Sequence, residues 1–203
     1  MQRTRSLGNY IGLDLGQRRD YTAVAAVTVV ESMLGRDPVK FAPILERQFR
    51  VTHLTRLDIG TPYTDLPVML RSLIGAASIH GDITLAVDAT GPGLPVVDML
   101  RDAGLRASLL PAMITGGDGE GSSKSGVYSI PRKTLLTKLR VAMERRDLKV
   151  SPRLNLCGEL QAEIRTLQYE SSAHARHHDD LVFAVSLALW AANIRGAGPR
   201  RGA

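Results

Sequence analysis

The chain has 203 residues, 44% apolar and 23% charged, which is ordinary for a globular protein and enough for one α/β domain with its own core. Its single cysteine, Cys157, excludes an intramolecular disulfide and fits a reducing compartment, and neither a bilayer-length apolar run nor a signal peptide is found. The net charge of +6 points to a polyanionic partner.

Residues 1–9 are polar and read as a flexible tail. Residues 10–15 predict a buried strand with one carboxylate, Asp14, set among apolar residues, with Gly12 and Gly16 two places to either side. A polar turn over 16–20 leads to a Val-, Ala- and Thr-rich second strand over 21–30. A turn at 31–38 and a third strand over 39–52 complete a meander. Residues 54–64 read as loop. Asp65 is expected to cap a helix over 66–80, in which Leu66, Met69, Leu70, Leu73 and Ile74 share one face. Residues 83–87 are short, apolar and β-branched, as a buried parallel strand should be, and Asp88 ends them. A turn at Gly91-Pro92-Gly93, a helix over 94–103 and a strand over 105–110 follow. A mixed sheet is expected, an antiparallel meander plus parallel strands, with helices on both faces.

The glycine-rich stretch 115–125 reads either as a surface loop or as a mobile loop over a substrate groove. Pro131 opens an amphipathic helix to 146, with Leu135, Leu136, Leu139 and Met143 inward and Arg132, Lys133, Lys138, Arg140, Arg145 and Arg146 around them. Residues 156–167 read as helix, 171–178 as polar loop and 179–194 as the last helix. Residues 195–203 form a basic, glycine-rich tail expected to be disordered.

The chemistry rests on carboxylates. Asp14, Asp88 and the pair Asp179 and Asp180 stand far apart in sequence, each within or at the end of an element. A lone buried charge is unfavourable unless paired or metal-bound. Hard oxygen ligands of this kind suit Mg²⁺ or Mn²⁺, and two such ions can hydrolyse a phosphodiester. The bland alternatives are a solvent-facing strand Asp, a turn residue, and a helix N-cap with its first-turn partner. Taken jointly, with the meander in front of them, the acids favour a metal site.

Four segments carry a resemblance: Gly12-Leu-Asp14-Leu-Gly16 with Asp20-Tyr-Thr-Ala following; Val87-Asp88-Ala-Thr-Gly91; Tyr128-Ser-Ile-Pro131-Arg-Lys133 before a leucine-rich helix; and His178-Asp179-Asp180-Leu-Val before an alanine-rich one. In this order the chain resembles the nuclease domain of the large terminase subunit of tailed bacteriophages, within the ribonuclease H-like superfamily. The resemblance implies an α/β, ribonuclease H-like domain over 10–194. It further implies a DNA endonuclease that cuts concatemeric viral DNA during genome packaging, with two Mg²⁺ or Mn²⁺ ions held by Asp14, Asp88 and Asp179 or Asp180. Double-stranded DNA, a packaging ATPase motor, the small terminase subunit and the portal are the implied partners, in the cytoplasm of a bacterial host. No Gly-x-x-x-x-Gly-Lys-Ser/Thr motif occurs and little chain precedes Asp14. The 203 residues are therefore expected to be a nuclease domain without its motor, either cut from a longer chain or a stand-alone relative.

Around this core, Asp20 reads as an accessory carboxylate or a plain turn residue. His174, His177 and His178 lack a matching pair for zinc, with His178 the best placed to touch a phosphate. Lys124, Arg132, Lys133 and Arg140 are candidates for DNA phosphates, each weighed against a plain solvated charge. Trp190 reads as core. Two alternatives stay open, a Holliday-junction resolvase of the same fold and a non-catalytic DNA-binding relative; an actin-like ATPase would need a much longer chain with two related halves.

Overall fold

A computed structural model describes residues 4–16, 20–75, 81–91, 93–122, 126–169 and 179–198. The strands are β1 (Thr4–Asp14), β2 (Thr22–Arg36), β3 (Pro43–Leu57), β4 (Ile83–Asp88), β5 (Ser108–Thr115), β6 (Gly121–Ser122), β7 (Tyr128–Pro131) and β8 (Leu148–Val150). The helices are α1 (Leu66–Gly75), entered through a 3₁₀ turn at Tyr63–Asp65, α2 (Gly93–Asp102), α3 (Arg132–Glu144), α4 (Cys157–Tyr169) and α5 (Asp180–Ile194). The strands form one sheet in the order β6-β7-β5-β4-β1-β2-β3-β8. The meander β1-β2-β3 and the β6-β7 pair are antiparallel, and β1-β4, β4-β5, β5-β7 and β3-β8 are parallel. This is the mixed sheet expected from the sequence. Among the described residues no helix is long and apolar enough to cross a membrane.

Alternation along the strands splits the core in two. Tyr10, Ala23, Ala25, Ala86 and Leu110 face α3, α4 and α5. Ile11, Leu13, Val24, Leu85 and Val87 face α1 and α2. Helices therefore cover both faces. α5 is buried from Asp180 to Ala192, which explains why its sequence is apolar all round rather than striped. Trp190 lies in this core, edge-on to Tyr128 at 5.3 Å between ring centroids.

Several boundaries differ from the sequence expectation. β1 starts at Thr4, which pairs with Ser32, so residues 4–9 are sheet and not a frayed tail. Polar Ser6 and Asn9 tolerate this place because Thr28 donates to the Asn9 side chain at 2.7 Å and β2 supplies the ladder. β2 runs on to Arg36, and β3 takes up residues 54–57 that read as loop. β5 sits later than expected, with Pro111 inside it although proline usually ends a strand. Part of the glycine-rich stretch is ordered: Gly121 and Ser122 pair with β7. Pro131 closes β7 and stands at the N-cap of α3 instead of in its first turn. The start of the C-terminal tail is tied down, since Ala197 is buried and Arg47 donates to the Gly198 carbonyl at 2.6 Å.

Gly12 sets how close α5 comes to the sheet. A Cβ there would lie 1.9 Å from the Ala184 carbonyl oxygen of α5. Gly12→Ala is therefore expected to push the helix outward and lower stability by roughly 1–3 kcal/mol. Urea unfolding would show this as an earlier midpoint, and an unchanged midpoint would mean that α5 shifts without loss.

Candidate active site

The close approach at Gly12 fixes what stands beneath the start of α5. Asp14 is two residues beyond Gly12 and so on the same face of β1. Asp180 is one helical turn before Ala184 and so on the face of α5 that meets the sheet. Leu13 pairs with Val87, which places Asp88 beside Asp14 on the neighbouring strand. Asp14 pairs with Ala23 and Ala23 with Arg56. One row thus crosses the sheet as Asp88, Asp14, Ala23 and Arg56, with the first turn of α5 above it.

These residues line a cleft of about 530 Å³ that also includes Asp20, Tyr21, Thr90, Gly116, Arg132, Asp179 and Phe183. A larger groove of about 630 Å³ by β3 and α1 holds Asp65 as its one carboxylate among apolar and neutral neighbours, so the acidic cleft is the candidate site. The cleft is short of positive charge. Burial, together with Asp88, Asp180 and Asp179, raises the Asp14 carboxyl well above the ordinary range, and Arg132 offsets only part of this. Burial also raises Asp88, against hydrogen bonds from Thr90 and from the Asp14 side chain. Two neighbouring acids raised in this way resist ionising together.

Both acids at the start of α5 carry an arginine partner. Asp179 occupies the N-cap position but makes no capping bond, and instead accepts from Arg132, whose guanidinium stacks 4.2 Å from the Phe183 ring centroid. Asp180, 5% exposed, is gripped by Arg56 through Nε at 2.6 Å and Nη2 at 3.2 Å. The capping is done by Glu163 of α4, which accepts from the Val182 N–H at 2.9 Å and also from Arg56. Burial, Asp180 and Asp179 outweigh Val182 and Arg56 and push the Glu163 carboxyl up to about 7.

Of the residues singled out from the sequence, the structure brings together Asp14, Asp20, Asp88, Asp179, Asp180 and Arg132. Lys133 is turned to Asp118, and Arg140 pairs with Glu144 one turn along α3, so neither faces the cleft as placed. His174, His177, His178 and Lys124 lie outside the described residues. Arg56 and Glu163 were not anticipated. The available signal was an acid at position 163, three residues after Leu160 on the buried side of a helix. As the side chains lie, no three His, Cys, Asp or Glu residues among those described are close enough to hold a metal ion. The donors nonetheless have the right chemistry for Mg²⁺ or Mn²⁺: hard carboxylate oxygens, two of them on adjacent strand ends and both raised by burial.

No protein-family model matches the sequence, and no curated protein matches it. Solved structures do match the fold, and two of them are terminase nuclease domains. One is the human cytomegalovirus terminase nuclease domain, soaked with Mn and bound to an inhibitor, with a TM-score of 0.56 and 14% identity over 96% of this chain and 87% of that one. The other is the nuclease domain of the large terminase g2p from bacteriophage SPP1 with bound Mn, with a TM-score of 0.54 and 13% identity over 91% of this chain and 86% of that one. At these identities the likeness is one of fold, and it spans nearly the whole chain: the protein has the ribonuclease H-like fold of terminase nuclease domains.

Proposed function

We propose that the protein is a divalent-metal-dependent DNA endonuclease that cuts concatemeric viral DNA during genome packaging, with Asp14, Asp88, Asp180 and Asp179 as its metal ligands. The observation that carries this reading is the row of Asp14 and Asp88 on adjacent strands beneath Asp180, in a cleft whose acids resist ionising together. The Mn bound in the bacteriophage SPP1 nuclease domain, and the Mn soak of the human cytomegalovirus one, support a divalent ion here. Two ions held by these carboxylates would supply the Lewis acidity that phosphodiester hydrolysis needs.

The chain's own residues divide the remaining work. The carboxylates hold charge in place. Arg132 stands at the rim of the cleft, 50% exposed, and is the cation best placed to receive a DNA phosphate once it leaves Asp179. Asp20, exposed at the cleft edge, is an accessory carboxylate. Lys124, Lys133 and Arg140 would contribute sequence-independent attraction to duplex DNA, and among the described residues nothing resembles a base-reading module. A packaging motor, the small terminase subunit and the portal are the partners this role calls for.

Plasmid digestion with Mg²⁺, Mn²⁺ or excess EDTA tests the proposal. Cleavage with either ion and none in EDTA is expected. Undiminished cutting in EDTA would overturn the two-metal reading, and a strong preference for four-way junctions over linear duplex would favour a resolvase instead.

A further inference from the structure

We infer that Arg56 and Glu163 form a positioning clasp for Asp180, a role that rests on the nuclease reading above. Arg56 reaches the cleft row from β3, across the small Ala23, and meets Asp180 with two prongs of its guanidinium. The same guanidinium donates to Glu163, 7% exposed, whose other oxygen accepts the Val182 N–H. The rear of Arg56 lies over the Tyr21 ring at 5.0 Å. Three elements, β3, α4 and α5, are thus tied at one point.

The physical consequence is a division of labour between neighbouring acids. An N-cap Asp ordinarily spends its side chain on the helix N–H groups. Here Glu163 satisfies the Val182 N–H from another helix, which leaves Asp179 turned to the open cleft. Asp180 has both oxygens held by one planar donor, so its carboxylate is fixed before any ligand arrives. Such outer partners of a metal-binding carboxylate orient it, and losing them typically weakens metal binding or activity about 10–100-fold. An arginine fork does this where a lysine cannot, because a single ammonium does not match two carboxylate oxygens in plane.

The test keeps charge constant and removes geometry. In Arg56→Lys the positive charge stays and the fork is lost. In Glu163→Gln the side-chain carbonyl still accepts the Val182 N–H, while the ionic hold on Arg56 goes. Mn²⁺ binding is measured by calorimetry without DNA, and cleavage by kcat and KM on linear duplex, with circular dichroism confirming the fold. Arg56→Lys is expected to bind Mn²⁺ roughly tenfold more weakly and to lose at least as much in kcat, with KM for DNA unchanged. Glu163→Gln is expected to act in the same direction, and the double variant to be little worse than Arg56→Lys alone, because the residues act as one unit. If Arg56→Lys does not fold, Glu163→Gln carries the same comparison. Wild-type Mn²⁺ affinity and kcat in either folded variant would overturn the clasp and leave the nuclease reading standing. A parent protein that neither binds Mn²⁺ nor cuts DNA would overturn both.

Discussion

Asp14→Asn is expected to lose nearly all metal-dependent cleavage, on the order of a thousandfold, while its metal-free form melts higher than the parent. The two effects share one cause. Asp14 lies where burial and three other acids disfavour its charge. Asparagine has the same shape and no charge, so it relieves the repulsion in the metal-free protein and removes a ligand from the metal-bound one. A gain of about 1 kcal/mol would raise the melting temperature by roughly 2–4 °C in a chain of this size. Asp88→Asn should follow with a smaller stabilisation, because Thr90 and Asp14 already favour its charged form. Melting in EDTA and plasmid cleavage with Mn²⁺ measure both effects on the same samples. If Asp88→Asn cuts at the parental rate, Asp88 is not a ligand. If Asp14→Asn melts below the parent, the charge at position 14 is not under strain.

The second large effect is a dependence of metal-free stability on pH opposite to that of most acidic clusters. Glu163 binds its proton up to about pH 7 in the folded chain against 4.5 as its ordinary value, and Asp14 and Asp88 are raised as well. Between those values the folded state carries more protons than the unfolded state, so stability falls as pH rises. The favourable contribution is complete below about pH 4.5 and is lost as pH climbs through 7. In EDTA the protein should therefore melt several degrees lower at pH 8 than at pH 5. A divalent ion replaces the protons, so adding Mn²⁺ should raise the melting temperature more at pH 8 than at pH 5. Equal melting at the two pH values in EDTA would show that the acids are already neutralised by Arg56 and Arg132.

What could be read from the sequence was what local pattern encodes. A carboxylate in an apolar strand, another at a strand end and a third at the head of an apolar helix are visible as departures from pattern, and Asp14, Asp88 and Asp180 do converge. Partnerships across the sheet are not visible in this way. Residues 4–9 look like a tail because their polar side chains find partners across the sheet, as Thr4 does at Ser32 and Asn9 at Thr28 of β2. Pro111 looks like a strand end because its neighbours β4 and β7 cannot be seen from position 111. Arg56 reads as one more basic residue until β3 is registered against β2 and faces Asp180. Glu163 was the most legible of the missed residues, an acid on the apolar side of its helix, but its partner lies on another element far along the chain.

The sheet order also sets when the cleft can exist as the chain is made. β1 is made before its parallel partner β4, which arrives only after the whole meander and α1. α5, which brings Asp179 and Asp180 and covers the middle of the sheet, comes after every strand. A nascent chain stopped before residue 180 holds two acids of the row and an uncovered apolar sheet face. Non-local pairing of this kind folds slowly, and such an intermediate is prone to aggregate. A chain that still lacks α5 therefore has no complete acid cluster, and the cleft is assembled only when the last helix has docked.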